Sequence, residues 1–302
     1  MSDHSSSAKA ILYAFIANLG IAITKTAAAV YTNSGSMVAE AIHSYADTAN
    51  QMLLFLGLRL SERRPTRAHP MGYGKVTYFW SFIVALLLFS VGGLFSIYEG
   101  WHKLHAPEPL NKVWVALVVL GVAIVLETGS LVGALNEIRK VRRGRRFLEW
   151  LRNTRNAEFV VVLGEDIAAL AGLVIAFGFL TMAAVTGDAR WDAAGSISIG
   201  VVLIVVAMFI AGRISTLLIG KSAEPELERK IRECIERDTA IEALLNTITV
   251  QFGPKVMLAV KIRMKSGLTI DAAVDRINAL ERQIKEAHPE IGWCFVEPDH
   301  TD

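Results

Sequence analysis

Six apolar runs, each long enough to cross a bilayer, constrain this chain more than any other feature. A helix needs about 20 mostly apolar residues to span the hydrocarbon core. The stretches 9–31, 36–60, 76–101, 112–137, 157–186 and 192–219 all qualify. No water reaches the core to satisfy backbone N–H and C=O groups, so runs of this kind must close their hydrogen bonds as helices. With 53% of its 302 residues hydrophobic and a mean hydropathy of +0.41, the chain is too apolar for an ordinary soluble protein. The expectation is an all-α bundle of six transmembrane helices over residues 1–219.

The joints fix an expected orientation, because Lys and Arg in short loops stay on the cytoplasmic side. The second joint holds Arg63, Arg64, Arg67 and Lys75, and the fourth holds eight basic residues between Arg139 and Arg155. The other side holds only Lys103, Lys112 and Arg190. Trp101, Trp114 and Trp191 fall at span ends on that side, where an aromatic belt would place them. Both termini are therefore expected in the cytoplasm. The N-terminus shows no basic region followed by a cleavage site, so the first span is read as its own insertion signal. The arginine-rich loop is read as a topology signal touching lipid headgroups, with no nucleic-acid partner. Gly129 and Gly133 stand at GxxxG spacing, a pattern for close helix packing.

From Lys221 onward the chain turns polar, with 12 basic and 15 acidic residues against 19 and 14 in the first 220. "AEPELERKIRECIERD" and "TIDAAVDRINALERQIKEAH" read as amphipathic helices, with Ile231 and Ile235 on one face of the first. "LLNTITVQF", "VMLAVKIRM" and "GWCFVEP" read as strands. Residues 220–302 should thus form a small α+β domain in the order α-β-β-α-β. Cys234 and Cys294 match no zinc-ribbon or redox spacing and are read as reduced thiols in a cytosolic domain.

The second span contains "AEAIHSYADTANQ", a polar constellation inside hydrocarbon. At 100° per residue, Glu40, His43, Asp47, Asn50 and Gln51 share an arc of about 100°. An acid at a span centre costs about 2.5–3.5 kcal/mol on insertion scales, so this stripe must face other helices or a water-filled path. A seam that only glued helices together would need amides or hydroxyls, not ionisable groups. His43 and Asp47 lie one turn apart and point the same way, a pairing that grips a small divalent cation. Two further ligands must come from a neighbouring helix or water. The fifth span offers Glu165 and Asp166 deep in its apolar run, with Asp166 the better third ligand. Glu165 lies about 100° around the helix and is left to complete the site, carry protons or pair with a cation such as Lys25. Glu158 sits nearer the cytoplasmic end, where it could line an entrance.

These residues resemble the cation diffusion facilitators, the zinc-transporter family of divalent-metal/proton exchangers. The resemblance covers nearly the whole chain. It rests on "SGSMVAEAIHSYADTANQ", on "HPMGYGK" opening the third span, on the acidic fifth span and on a tail ending in "FVEPD". It implies a transport site with His43 and Asp47 on the second span and, on the fifth, Asp166, with Val162 standing where the family usually has a second His. The implied set is His43, Asp47 and Asp166, with Glu165, Asn50 or water as fourth ligand. That is a harder, more oxygen-rich set, which admits Mn²⁺, Fe²⁺, Co²⁺ and Cd²⁺ beside Zn²⁺. A loop site known in some members would keep only His69, with Thr66 and Tyr73 at the other positions. The tail resembles small metallochaperones and would dimerise. Lys261, Val274 and Phe295 stand where metal-binding members carry donors, so a metal-free tail is expected.

The sequence thus leads to a multi-pass integral membrane protein, expected in a bacterial inner membrane. It would be a homodimer that exports Zn²⁺ or a related divalent metal in exchange for protons, with no prosthetic group. Two other classes compete: a membrane-anchored metal sensor or scaffold, and a cation channel. No nucleophile, phosphate loop or cofactor motif suggests an enzyme.

Overall fold

A computed structural model describes residues 18–106, 112–142 and 144–301. The opening of the first expected span and the two prolines of the third joint lie outside them. The chain divides into two compact units. The first comprises residues up to Leu58, Phe79–Gly144 and Glu158–Ile214; the second comprises Arg59–Tyr78, Arg145–Ala157 and Ser215–Asp302.

The helices of the apolar part are α1 (described over 18–32), α2 (Gly35–Ser61), α3 (Val76–His105), α4 (Val113–Val141), the short α5 (Phe147–Asn153), α6 (Ala157–Thr186) and α7 (Arg190–Ile219). Four of them, α3, α4, α6 and α7, are long and apolar enough to cross a membrane. The 27-residue α2 has the length, about 40 Å at 1.5 Å per residue. Its polar stripe makes it less apolar than those four.

Small residues let the first unit pack closely. Around Gly92 and Gly93, α3 loosens into a π-helical segment, Leu88–Leu94. A Cβ on Gly93 would lie 2.5 Å from Ile204, one on Gly200 2.6 Å from the Gly93 carbonyl, and one on Gly100 2.7 Å from the Ala193 carbonyl. Thus α3 and α7 meet backbone to backbone at two levels. Gly164 leaves room for Ile210, and Gly195 for Phe179, so α6 and α7 interlock in the same way. In contrast, α4 is the least buried of the four apolar helices, and no neighbour lies within 4 Å of a Cβ built on Gly129 or Gly133. The GxxxG pattern therefore lies on an outer face, and its expected close packing is not found among the described residues.

The second unit is built on α8 (Pro225–Glu236), β1 (Ile241–Phe252), β2 (Lys255–Met264), α9 (Ile270–Ala287) and β3 (Ile291–Pro298), in the order read from the sequence. β2 pairs antiparallel with β1 and parallel with β3, so α9 forms the crossover. Leu258, Val260 and Ile262 alternate inward along β2 and meet Ile231 and Ile235 of α8 and Leu280 and Ile284 of α9. The loops join this unit through backbone groups. Arg155 donates from Nε to the Ser222 carbonyl (2.6 Å) and from Nη2 to that of Ala223 (2.9 Å). Arg145 pairs with Glu224 at 2.8 Å. Before α3, Gly72 adopts φ +73° in the turn read from "HPMGYGK". Lys75 lies over the Phe252 ring, and the Tyr78 hydroxyl donates to the Gly253 carbonyl at 3.2 Å. Thr66, His69 and Tyr73 do come together: the Thr66 and Tyr73 hydroxyls are 3.3 Å apart, and the His69 and Tyr73 rings are 4.6 Å apart.

Cys234 and Cys294 are free thiols. Burial, helped by Glu281, pushes the Cys294 thiol up to about 11. It stays protonated until the pH nears that value. At pH 8 a neutral alkylating reagent should modify Cys294 in the folded protein about 100-fold more slowly than in the unfolded chain. Mass spectrometry of a labelling time course measures this, and equal rates would contradict the burial described.

Candidate metal centre

The site grows from a helix start that is held from outside. The tight turn between α1 and α2, with Asn33 at φ +56°, leaves the first amides of α2 without intrahelical partners. Asp192 of α7 supplies the cap across the bundle. Its carboxylate accepts from the Ser34 hydroxyl at 2.7 Å, the Gly35 amide at 2.5 Å and the Ser36 amide at 3.3 Å, and also from the Ser36 hydroxyl. Asp192 is buried, and its negative charge suits a helix N-terminus. The "SGS" segment is therefore a docking point that fixes α2 in height and rotation.

One turn further, Glu40 is fully buried, and its Oε2 meets Lys25 Nζ of α1 at 3.1 Å. Lys25 also donates to Ser44 Oγ at 2.8 Å. Lys25 thus pairs with Glu40, which settles one of the roles left open for Glu165. Glu40 Oε1 faces Gly172 of α6, where a Cβ would lie 2.5 Å away. Only a glycine admits the carboxylate there.

His43 is 1% exposed, and neither ring nitrogen has a hydrogen-bond partner. Its Nε2 lies 3.5 Å from Asp47 Oδ2, near enough for attraction but without hydrogen-bond geometry. Asn50 donates to Glu165 Oε1 at 2.6 Å, which ties α2 to α6. Gln51 is half-buried beside it. Asp166, one residue after Glu165, turns to another side of α6, and its Oδ2 is buried without a partner. Glu158 sits in the first turn of α6. Val162 is 37% exposed.

Unpartnered buried polar atoms are costly, at about 1–3 kcal/mol each. Most of those among the described residues fall on α2 and α6: Glu40 Oε1, both nitrogens of His43, Asp47 Oδ1, Asn50 Oδ1 and Asp166 Oδ2, with Ser81 Oγ and Thr247 Oγ1 elsewhere. Among the described residues, no three His, Cys, Asp or Glu side chains yet converge on one point to hold an ion. The Asn50–Glu165 hydrogen bond is the contact that brings α2 and the acids of α6 side by side.

Two residues escaped the sequence reading. Asp192, at the head of a span, looked like a boundary residue, and nothing local linked it to "SGS". Glu127 lies half-buried in the middle of α4. Its signal was present, a single acid in "AIVLETGSLV", and the rule applied to the second and fifth spans would have found it.

A helical membrane domain with an intramembrane polar site, followed by a small sheet domain, defines a membrane transport protein. Residues 11–218 match the model of the cation efflux transmembrane domain, and the chain belongs to that family, one of transporters and not of enzymes. It is 35% identical over 261 residues to the mitochondrial proton-coupled zinc antiporter SLC30A9 of Xenopus laevis, covering 86% of this chain and 46% of that protein. It is 33% identical over 225 residues to metal tolerance protein C4 of Arabidopsis thaliana, covering 74% and 49%. The chain thus spans about half the length of these curated relatives. The manganese efflux system protein MneP of Bacillus subtilis matches along nearly its whole length, 95%, at 22% identity.

The Lys25–Glu40 pair carries a direct test. Lys25→Met or Glu40→Gln alone leaves a buried charge uncompensated, at about 3–5 kcal/mol. Each should lower the melting temperature in detergent by at least about 6 °C. The double variant should recover most of that loss. Additive losses would show that the two groups do not depend on each other.

Proposed function

We propose that this protein exports a divalent transition metal, with Zn²⁺ as the main substrate, from the cytosol in exchange for protons by alternating access. The observation that carries the reading is the set of buried, unpartnered donors on His43, Asp47 and Asp166. A neutral imidazole and ionised carboxylates are the forms that bind metal, so binding expels protons from the same groups that later take them up. On the side richer in protons, protonation of His43 and the carboxylates releases the ion. In the conformation described the donors stand apart; the ion draws α2 and α6 together, with Glu165 and Asn50 holding the register between them. The names of the zinc antiporter and metal tolerance relatives support the metal. One imidazole among carboxylates also suits Mn²⁺, Fe²⁺ or Co²⁺, and the likeness to a manganese efflux protein supports that second reading.

The same proposal places six spans in a bacterial inner membrane with both termini in the cytoplasm, although the first relatives are named as mitochondrial. It makes the protein a homodimer through its tail domain and membrane helices. Supporting the dimer, Ile248, Ala259 and Phe295 stand in one cross-strand row, with Ile248 54% and Phe295 60% exposed.

In proteoliposomes, His43→Ala and Asp47→Ala should each lower Zn²⁺ uptake at least about 100-fold while leaving the elution profile and melting temperature near wild type. Wild-type uptake by either variant would refute the assignment.

A further inference from the structure

The turn between α1 and α2 is held more firmly than a short connection needs. Ser34 already caps α2 locally, its hydroxyl accepting from the Met37 amide at 3.2 Å. Asp192 adds a second hold from α7, taking donors from Ser34, Gly35 and Ser36 together. Lys103 of α3 adds a third, donating to the Asn33 carbonyl at 2.7 Å. Lys112, just before α4, donates to the Tyr31 hydroxyl and lies over its ring, 4.7 Å from the centroid. Three neighbours thus grip residues 31–36.

Gly35 permits the close approach. A Cβ there would lie 2.9 Å from Lys103 Cδ and 3.0 Å from Ser196 Oγ of α7. Thr32, Ser34, Ser36 and Ser196 are fully buried, and Asp192 nearly so. Among the described residues no cation pairs with Asp192, and Lys103 is taken by Asn33 and Glu99. The carboxylate therefore rests on the donors of the turn. Without them it would need water, so parting this clasp and wetting this end of the bundle are one event. Along α2 the burial eases away from the clasp: the His43 side chain is 1% exposed, and that of Asp47, one turn further, 18%.

We propose that Asp192 is a positioning residue of the transport cycle: its clasp on residues 34–36 closes the outer end of α2 over the metal centre and must part for the cation to leave. The inference rests on the exporter reading, which puts this end outside the cytosol. On that reading the conformation described is the one closed to the outside.

The test uses the full chain in proteoliposomes. Met37→Cys or Ala39→Cys places a thiol in the fully buried first turns of α2, beside the clasp. A membrane-impermeant maleimide is added outside at one fixed pH, and mass spectrometry separates the introduced thiol from Cys234 and Cys294. Labelling should be at least about tenfold faster in vesicles loaded with Zn²⁺ than in empty ones, because turnover populates the open state. A static cap would give equal rates, since Asp192 is intact in both. Asp192→Asn, which exchanges one acceptor oxygen for a donor, should speed labelling in empty vesicles as well. If loaded vesicles release Zn²⁺ with no rise in labelling, or if Asp192→Asn leaves the resting rate unchanged, the clasp is refuted and the exporter reading stands. If the wild-type protein releases no Zn²⁺, the exporter reading itself falls.

Discussion

A charge carried into hydrocarbon must find its partner within the protein, and α2 is where this chain meets that demand. Its start and two groups of the stripe are each answered from a different helix. Asp192 of α7 holds the helix start, Lys25 of α1 neutralises Glu40, and Glu165 of α6 receives Asn50. Three neighbours therefore fix one helix in height and rotation. His43, Asp47 and Asp166 carry buried polar atoms that this pairing does not reach. Glu40 and Asn50 each have a partner on another helix, whereas neither nitrogen of His43 has one.

The close approaches follow from the same demand. Short polar side chains reach across only if the backbones come near, and glycines bring them near. Gly172 admits Glu40, while the Gly93–Gly200 and Gly100–Ala193 contacts bring α3 and α7 together. In the second unit, arginines supply the equivalent: Arg155 satisfies the carbonyls of Ser222 and Ala223, which no helix or strand would otherwise use. The loop before α3 and the strand turn after β1 likewise share hydrogen-bond and ring contacts within that unit.

Much of this was legible in the residue order. The tail's alternation of apolar residues and its paired isoleucines led to the right element sequence, because period 2 and period 3.6 are strong signals there. The stripe on α2 was legible because ionisable groups stand out against hydrocarbon. Pairings between helices were not. Nothing local says that Lys25 meets Glu40 before Glu165, or that Asp192 caps a helix some 150 residues earlier, since those choices depend on how the helices pack. Gly129 and Gly133 mark the opposite limit: a packing pattern was present, and the bundle leaves it on an outer face.

On the proposed reading, metal and protons compete for the same buried donors, and this is the claim on which everything else depends. The most direct measurement loads proteoliposomes with a pH-sensitive dye and imposes a Zn²⁺ gradient in the absence of a proton gradient. The exchanger predicts that Zn²⁺ entry drives protons outward, raising the internal pH in step with uptake, and that an Asp47→Ala protein shows neither movement. Zn²⁺ uptake by the wild-type protein with no change in internal pH would contradict it.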